Sequence, residues 1–260
     1  MSTTKVNRGR GGVSKLALLL DQACRTAVAM AQPTEEFDPY EVQREVIDQR
    51  LARGERVTGV KLGFTSEAKR RQMGVHDLIL GRVTDAMAVP DGGTVDLGRF
   101  IHPRVEPEVF YLVGRRIESV ADALAPGAVT AVAPGIEIID SRYENFKFSL
   151  DSVIADNTSA AGYVVGPWQP YNPRDWNLGV VFELSGRPVH TGSTSAILGD
   201  PRRAVLEAAR LAEQTGLTIE AGSLLLAGAA TPAEPFRAGV HVRVEIQGLG
   251  SVSCMAGEAR

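Results

Sequence analysis

The sequence contains few cysteines, and this limits the kinds of site it can form. Only two of its 260 residues are cysteine, Cys24 and Cys254, and they lie near opposite ends of the chain. Cysteine zinc sites need several ligands at short spacings, so no such site is predicted. Sparse cysteines are typical of a reduced, cytoplasmic setting, and we expect that setting here.

The sequence also lacks an excess of positive charge and a long apolar run. Lys and Arg number 28 against 31 Asp and Glu, which gives a formal net charge of -3. A protein without a positive field does not gather nucleic acid or anionic membranes, so neither is expected as a partner. The apolar run at 16–20 ends at Asp21 and is too short to span a bilayer.

Several well-known catalytic and binding motifs are missing. No Gly-x-Ser-x-Gly sequence occurs, which argues against an acyl-enzyme mechanism. The glycine pairs at 11–12 and 92–93 do not precede the helix pattern of a phosphate-binding loop, so nucleotide binding is not predicted. The histidines are scattered, and we expect surface or structural roles rather than metal ligation for His76, His102, His190 and His241.

The chain has the length and composition of a globular protein with a large core. Hydrophobic residues make up 44% of it, which is sufficient for one domain of this size. We interpret residues 1–12 as a disordered tail and residues 13–260 as a single catalytic domain. Helical periodicity predicts a helical layer over 13–53, and short runs rich in valine and isoleucine predict a strand-rich core over 54–260. The predicted fold class is therefore α+β.

Capping residues and glycines predict where several elements begin and end. Asp38 and Pro39 predict the start of the second N-terminal helix. A later helix is expected to open at Asp200 and to stop at Gly216, and Gly186 marks a turn between two strands. The predicted strands include 57–62, 86–89, 105–112, 136–139, 163–165 and an alternating, half-buried strand at 240–246.

Two glutamates on one predicted strand form the first candidate site. Glu106 and Glu108 are two residues apart, so an extended strand points both side chains to the same face, about 6 to 7 Å apart. In a concave site, two neighbouring carboxylates repel each other, so either the pKa of one of them is raised or a cation binds between them. Oxygen ligands favour Mg²⁺ or Mn²⁺. A solvated strand face is the alternative for this pair on its own.

A third acid, Glu137, interrupts an otherwise apolar run at 133–139. A buried carboxylate needs a cation, a proton or strong hydrogen-bond donors. Glu137 is therefore either a third metal ligand or one partner of a salt bridge, for which Arg104 and Arg142 are the candidates.

A lysine and two polar clusters complete the candidate residues. Lys61 lies in an apolar strand flanked by glycines, where a buried lysine is either paired with an acid or functional. Polar clusters at 140–147 and 154–159 directly follow apolar strands, where loops commonly supply binding groups. Composition alone predicts no more than loops for these two clusters.

These segments together resemble a known enzyme family. The residues that carry the resemblance are Lys61, Gly63, Thr65-Ser66, 103–108, 137–147 and Ala155-Asp156-Asn157. Their order and spacing are similar to those of the 2-keto-4-pentenoate hydratase and 4-oxalocrotonate decarboxylase family. That family has the fumarylacetoacetate hydrolase-like fold with a mixed β core, and the resemblance covers nearly the whole chain after the tail.

The resemblance implies a metal site and its chemistry. It implies that Glu106, Glu108 and Glu137 bind Mg²⁺ or Mn²⁺, and that the cation polarises the keto group of a 2-keto acid. It also places Lys61 in the active site, where the lysine stabilises an enolate or assists proton transfer. A homo-oligomer is implied as well, together with a complex between the decarboxylase and a partner hydratase.

The decarboxylase branch of the family is the closer resemblance. Segments 139–148 and 247–253 are similar to decarboxylases, and Ile79 stands where hydratases commonly carry an aspartate. The implied reaction is metal-dependent removal of carbon dioxide from 2-oxo-3-hexenedioate, or a close analogue, in meta-cleavage aromatic catabolism. A hydratase forming its product from 2-hydroxypenta-2,4-dienoate is the alternative. A non-catalytic partner subunit of the same fold is the second alternative.

The residues expected to contact the 2-keto dicarboxylate substrate are Ile79, Arg142, Lys147, Asp156, Ser159 and Thr231. Ile79 is expected to line an apolar pocket that disfavours the charge of the distal carboxylate. Arg142, Lys147 or backbone donors near Ser159 are expected to recognise a carboxylate, with a structural pairing to the glutamates as the alternative for Arg142. Thr231 lies in segment 227–234, which departs from the Thr-Gly-Gly-Ile-Thr-type loop of similar decarboxylases, so an altered 2-keto acid stays open as the substrate.

Overall fold

The computed structural model describes residues 13–67, 70, 75, 77–174 and 176–257. The predicted disordered tail at 1–12 and the surface or structural role of His76 concern positions outside these residues. The helices with described bounds are α1 (Lys15–Thr26), α2 (Pro39–Ala52), α3 (Val120–Leu124), α4 (Leu150–Ala155) and α5 (Arg203–Thr215). The first two confirm the predicted N-terminal helices.

The strands all follow α2 and are interrupted by α3, α4 and α5. They are β1 (Val57–Gly63), β2 (Ile79–Thr84), β3 (Ala88–Val89), β4 (Thr94–Val95), β5 (Arg104–Val113), β6 (Val129–Ile139), β7 (Ala160–Val165), β8 (Gln169–Pro170), β9 (Gly179–Leu184), β10 (Arg187–Ser193), β11 (Leu224–Ala229), β12 (Glu234–Pro235), β13 (His241–Ile246) and β14 (Gly250–Ala256). The predicted α+β class is confirmed, with 28% of the described residues in helices and 35% in strands.

Two sheets organise the strands. The larger runs in the order β2-β1-β11-β5-β6-β7-β3, with β12 paired to β5 and β8 to β6, and the smaller runs in the order β10-β9-β13-β14-β4. Strand β13 buries Val242, Val244 and Ile246 and directs the residues between them outward, as the alternation predicted. These side chains join buried residues of the larger sheet in one hydrophobic core.

Local chemistry explains where the helices begin and how they meet the sheet. The carboxylate of Asp38 accepts hydrogen bonds from the backbone N–H groups of Tyr40 and Glu41 at 3.1 and 3.0 Å, so the predicted cap of α2 is confirmed. Gln43 of α2 donates its side-chain amide to the carbonyls of Leu80 and Ile154, each at 2.9 Å. This amide fixes the helical layer against β2 and α4.

The late helix begins slightly later than the sequence predicted. Residues 200–202 form a turn, and α5 starts at Arg203 rather than at Asp200. The guanidinium of Arg202 pairs with the Asp200 carboxylate, which stabilises the turn ahead of the helix. Gly216 ends α5 in a left-handed conformation with φ 68°, as predicted. Among the described residues, no helix combines the length and hydropathy needed to cross a bilayer.

Candidate metal centre and active site

The structure brings the three predicted acids together at the middle of the larger sheet. Strands β5 and β6 are antiparallel neighbours, and their register places Glu106 directly opposite Glu137. Glu108 follows two residues later on the same face of β5. One carboxylate oxygen from each glutamate lies within 4.8 Å of the others, and all three side chains are buried.

The hydrogen bonds of this cluster leave carboxylate oxygens unsatisfied. Glu108 and Glu137 are 0% and 1% exposed. Glu108 Oε2 accepts the backbone N–H of Gly228 at 3.0 Å, whereas Glu108 Oε1 and Glu137 Oε2 have no hydrogen-bond partner among the described residues. Buried polar atoms without partners are costly, and a hard divalent cation satisfies such oxygens. The donor set therefore fits Mg²⁺ or Mn²⁺.

Lys61 extends from β1 into the same cluster. Its Nζ lies 2.9 Å from Glu137 Oε1 in an ion pair and donates a hydrogen bond to the carbonyl oxygen of Thr158 at 3.0 Å. Burial alone would lower the pKa of Lys61, but the carboxylates of Glu137 and Glu108 raise it above its ordinary value. The lysine is therefore held as an ammonium group.

Burial shifts the pKa values of Glu108 and Glu137 in the opposite direction from that of Lys61. Burial, reinforced by the Glu137 carboxylate, raises the pKa of Glu108 well above its ordinary value. Burial also raises the pKa of Glu137, although Lys61 opposes that shift. A bound divalent cation stabilises ionised carboxylates, so cation binding and proton release are coupled at this cluster.

Ile79 lies on the same face of the sheet as the lysine. In the antiparallel pair of β1 and β2, Lys61 faces Gly81 and Gly63 faces Ile79, and directly paired residues share a face. Ile79 is buried with Val153 and Ile154 in a small hydrophobic cluster. Buried apolar side chains therefore lie two residues along the strands from Lys61, and substrate contact by Ile79 stays a prediction.

Arg142 and Asp156 lie in the two polar clusters that were expected to supply binding groups, but their side chains form an ion pair with each other. The backbone N–H and the guanidinium of Arg142 both donate to the Asp156 carboxylate, and the guanidinium also donates to main-chain carbonyls at Asp156 and Ala160. Burial raises the pKa of Asp156 to about 6 against the opposing effect of Arg142. Substrate contact by either residue stays a prediction, and the geometry favours support of the turn at 156–160.

The remaining predicted substrate contacts occupy different surroundings. Ser159 is buried and its hydroxyl has no hydrogen-bond partner among the described residues, which leaves it available to a ligand. Lys147 is exposed after the turn at 144–146. Thr231 is buried and its hydroxyl donates to the carbonyl of Pro232 at 3.2 Å. Substrate contact by these three residues stays a prediction.

Gly228 is a site residue that the sequence analysis missed. Its φ is +104°, and a Cβ at this position would lie 2.1 Å from Thr65 Oγ1. Only glycine therefore lets the backbone N–H approach Glu108. A lone glycine inside the apolar strand 224–229 is a signal of a bulge or of close backbone approach, and the pairing of β11 with β5 does shift between Leu226 and Ala229.

Two contacts fix the segment 230–234, one to β5 of the larger sheet and one to β10 of the smaller sheet. The N–H of Ala230 donates to the carbonyl of Pro107 at 2.8 Å, between two of the glutamates in sequence. Glu234 contacts the imidazole of His190 at 2.6 Å, which ties the segment to β10 of the smaller sheet. This pair gives His190 the structural place expected for it.

Comparison with known proteins agrees with this geometry. The family model described as fumarylacetoacetate (FAA) hydrolase C-terminal matches residues 57–255. The chain belongs to the fumarylacetoacetate hydrolase family. It is 51% identical to 4-oxalocrotonate decarboxylase from Pseudomonas sp. over 93% of this chain and 96% of that protein. It is also 34% identical to the TodF product hydratase of Pseudomonas putida over 96% and 97% of the two chains.

The solved structures of this family give the same result. The chain is similar to 4-oxalocrotonate decarboxylase from Pseudomonas putida G7 in complex with magnesium and adipate, with a TM-score of 0.88 and 36% identity. The match covers 97% of this chain and 100% of that chain. Membership of the hydratase and decarboxylase group, predicted from the residues above, is therefore confirmed.

Proposed function

We propose that the protein is a metal-dependent lyase that decarboxylates 2-oxo-3-hexenedioate (4-oxalocrotonate), or a close analogue, to 2-hydroxypenta-2,4-dienoate. The observation that carries this proposal is the buried cluster of Glu106, Glu108 and Glu137 with the Lys61 ammonium beside it. The identity to 4-oxalocrotonate decarboxylases, 51% and 42% for two of them, supports the choice within the family.

The three glutamates would hold one Mg²⁺ or Mn²⁺. Oxygen-only ligands and two unsatisfied buried oxygens support this assignment. When bound, the cation supplies Lewis acidity to the 2-keto oxygen and the adjacent carboxylate of the substrate. A decarboxylase relative whose structure was solved with magnesium supports the choice of ion.

The protein's own residues supply the proton and the apolar surroundings. In the reaction, the bond to the distal carboxylate breaks, carbon dioxide leaves, and the electron pair moves through the double bond toward the keto oxygen. Lys61 Nζ is oriented by Glu137 and the Thr158 carbonyl, so it can donate a hydrogen bond or a proton where negative charge develops. Ile79 and its neighbours Val153 and Ile154 exclude water from one wall.

Two alternatives fit the structure less well. A hydratase needs a polar group that activates water, and the buried, apolar Ile79 stands where hydratases commonly carry an aspartate. A non-catalytic subunit has no physical need to bury three acids and a lysine together, because that arrangement is costly unless it serves binding or catalysis.

The product of the reaction tests the proposal. The purified protein is incubated with 2-oxo-3-hexenedioate and Mg²⁺ while carbon dioxide and the dienol are measured separately. We expect stoichiometric carbon dioxide and formation of the dienol. No carbon dioxide, together with addition of water to supplied 2-hydroxypenta-2,4-dienoate, would identify a hydratase instead.

The homo-oligomer and the complex with a partner hydratase remain proposals supported by the family resemblance. The cytoplasmic setting remains a proposal supported by the sparse cysteines. Light scattering during size-exclusion chromatography tests self-association. Passage of the protein over an immobilised hydratase of the same pathway tests the complex, with an unrelated protein of similar charge as the control.

A further inference from the structure

A buried turn beside Lys61 has an unusual backbone. Asn157, Thr158 and Ser159 lie between α4 and β7, and all three have positive φ, at 48°, 57° and 57°. They are 3%, 3% and 4% exposed. A left-handed conformation is costly for residues other than glycine, and especially for a β-branched residue such as Thr158. Other contacts must therefore hold this turn in place.

The side chain of Asn157 provides such contacts. Its Oδ1 accepts the backbone N–H of Arg82 at 2.8 Å, and its Nδ2 donates to the backbone carbonyl of Arg82 at 2.8 Å. The amide thus joins both main-chain groups of one residue in β2. We call this two-point contact the Asn157 clamp.

The turn packs closely against β1, which carries Lys61, and against the adjacent strand β2. A Cβ at Gly81 would lie 2.8 Å from the carbonyl oxygen of Asn157, and a Cβ at Gly63 would lie 2.6 Å from Thr158 Cγ2. Both positions must be glycine for the turn to approach. The approach brings the Thr158 carbonyl to the Lys61 ammonium at 3.0 Å.

We propose that Asn157 is a positioning residue: its clamp on β2 seats the left-handed turn and thereby fixes the Lys61 ammonium through the Thr158 carbonyl oxygen. A lysine has a flexible four-carbon side chain, and two anchors define its Nζ here, Thr158 O and Glu137 Oε1. If the turn shifts, only the ion pair to Glu137 remains. The metal ligands on β5 and β6 do not depend on the clamp.

The substitution Asn157→Gly separates this role from backbone strain. Glycine adopts the left-handed conformation freely, so the turn remains allowed while both hydrogen bonds to Arg82 are lost. Because the kinetic effect rests on the proposed function, we expect kcat for decarboxylation to fall roughly ten- to hundredfold, the range for a displaced catalytic group. KM and the Mn²⁺ affinity measured by calorimetry are expected to stay within about twofold.

Two further measurements do not depend on turnover. Hydrogen exchange at the Arg82 amide should accelerate in Asn157→Gly because its acceptor is lost. Acetic anhydride should label Lys61 faster in the variant, with the exposed Lys147 as an internal reference in the same mass spectra. The matched control is Ser185→Gly, because Ser185 also has a positive φ, 48°, but is exposed in the turn between β9 and β10. This control should change none of these values.

Each outcome decides the proposal. Wild-type kcat and unchanged Lys61 labelling in Asn157→Gly would overturn it. Parallel losses of kcat, Mn²⁺ affinity and melting temperature would also overturn it, because they indicate general damage.

If Asn157→Gly does not fold, Asn157→Asp keeps the acceptor for the Arg82 N–H and loses the donor. This variant is expected to show the same result, a lower kcat with unchanged metal affinity. If the wild type releases no carbon dioxide, the proposed function fails, whereas the exchange and labelling results still decide the role of Asn157.

Discussion

At the scale of single residues, the identity of residue 79 is expected to influence the reaction. Ile79 is buried on the lysine face of the sheet, beside Val153 and Ile154. We predict that Ile79→Asp lowers carbon dioxide release at least roughly tenfold, because a charged side chain admits water, and water stabilises the distal carboxylate whose loss the apolar wall promotes. The measurement is kcat with 2-oxo-3-hexenedioate, and Ile79→Val, which keeps an apolar wall, serves as the control. Equal rates for the Asp and Val variants would contradict the role of this wall.

The buried Asp156 predicts a pH dependence of stability. Burial raises its pKa from 3.8 to about 6 in the folded protein, so between these values the folded state binds more protons than the unfolded state. The contribution of this group to stability is therefore full below pH 3.8 and declines as pH rises toward 6. The free energy of unfolding in urea, compared between wild type and Asp156→Asn, measures it.

The difference in stability between the two proteins, wild type minus Asp156→Asn, should decrease from pH 4 to about pH 6 and then level off. The variant also breaks the ion pair with Arg142, so only this pH dependence, rather than the absolute stability, tests the prediction. A difference that stays constant or increases with pH over the same interval would show that the pKa of Asp156 is not raised.

At the scale of elements, the end of β11 is expected to control metal affinity through Gly228. An alanine at 228 would place its Cβ 2.1 Å from Thr65 Oγ1 and displace the N–H that Glu108 accepts. We predict that Gly228→Ala weakens Mn²⁺ binding roughly ten- to hundredfold, the range for groups that orient metal ligands. Calorimetry of the metal-free variant gives the affinity.

Gly222 offers a matched control on the approach to the same strand. Its φ is also positive, +84°, but a Cβ there would meet nothing within 4 Å. Gly222→Ala therefore introduces similar backbone strain without disturbing Glu108, and its Mn²⁺ affinity should equal that of the wild type. Equal weakening in both variants would assign the effect to strain alone.

The sequence predicts some of these elements and cannot predict others, for physical reasons. The alternation of side chains along a strand is local, so the shared face of Glu106 and Glu108 follows from their spacing. The conformation of the turn at 157–159 does not follow from the local sequence, because three consecutive left-handed residues contradict local preference and depend on contacts with β2. Arg142 was a candidate partner for a glutamate, but the fold places Asp156 closer.

At the scale of the whole molecule, the pairing of distant strands assembles the site. Lys61 reaches the glutamates because β1 lies beside β11, with Lys61 paired to Leu226, and β11 lies beside β5. Periodicity predicts that these strands exist, but it gives no information about which strands pair across such separations. The fold class followed from the residues, whereas the order of strands required the structure.

The most direct test of the three-glutamate metal centre is a metal titration with two readouts. Metal-free protein is titrated with Mn²⁺ while heat and carbon dioxide release from 2-oxo-3-hexenedioate are followed, for the wild type and Glu108→Gln. We predict one ion per chain, decarboxylation that rises in parallel with occupancy, and loss of both signals in the variant, because an uncharged amide replaces a ligand that the cluster requires. Full carbon dioxide release by the metal-free protein, or unchanged metal binding in Glu108→Gln, would contradict the three-glutamate metal centre.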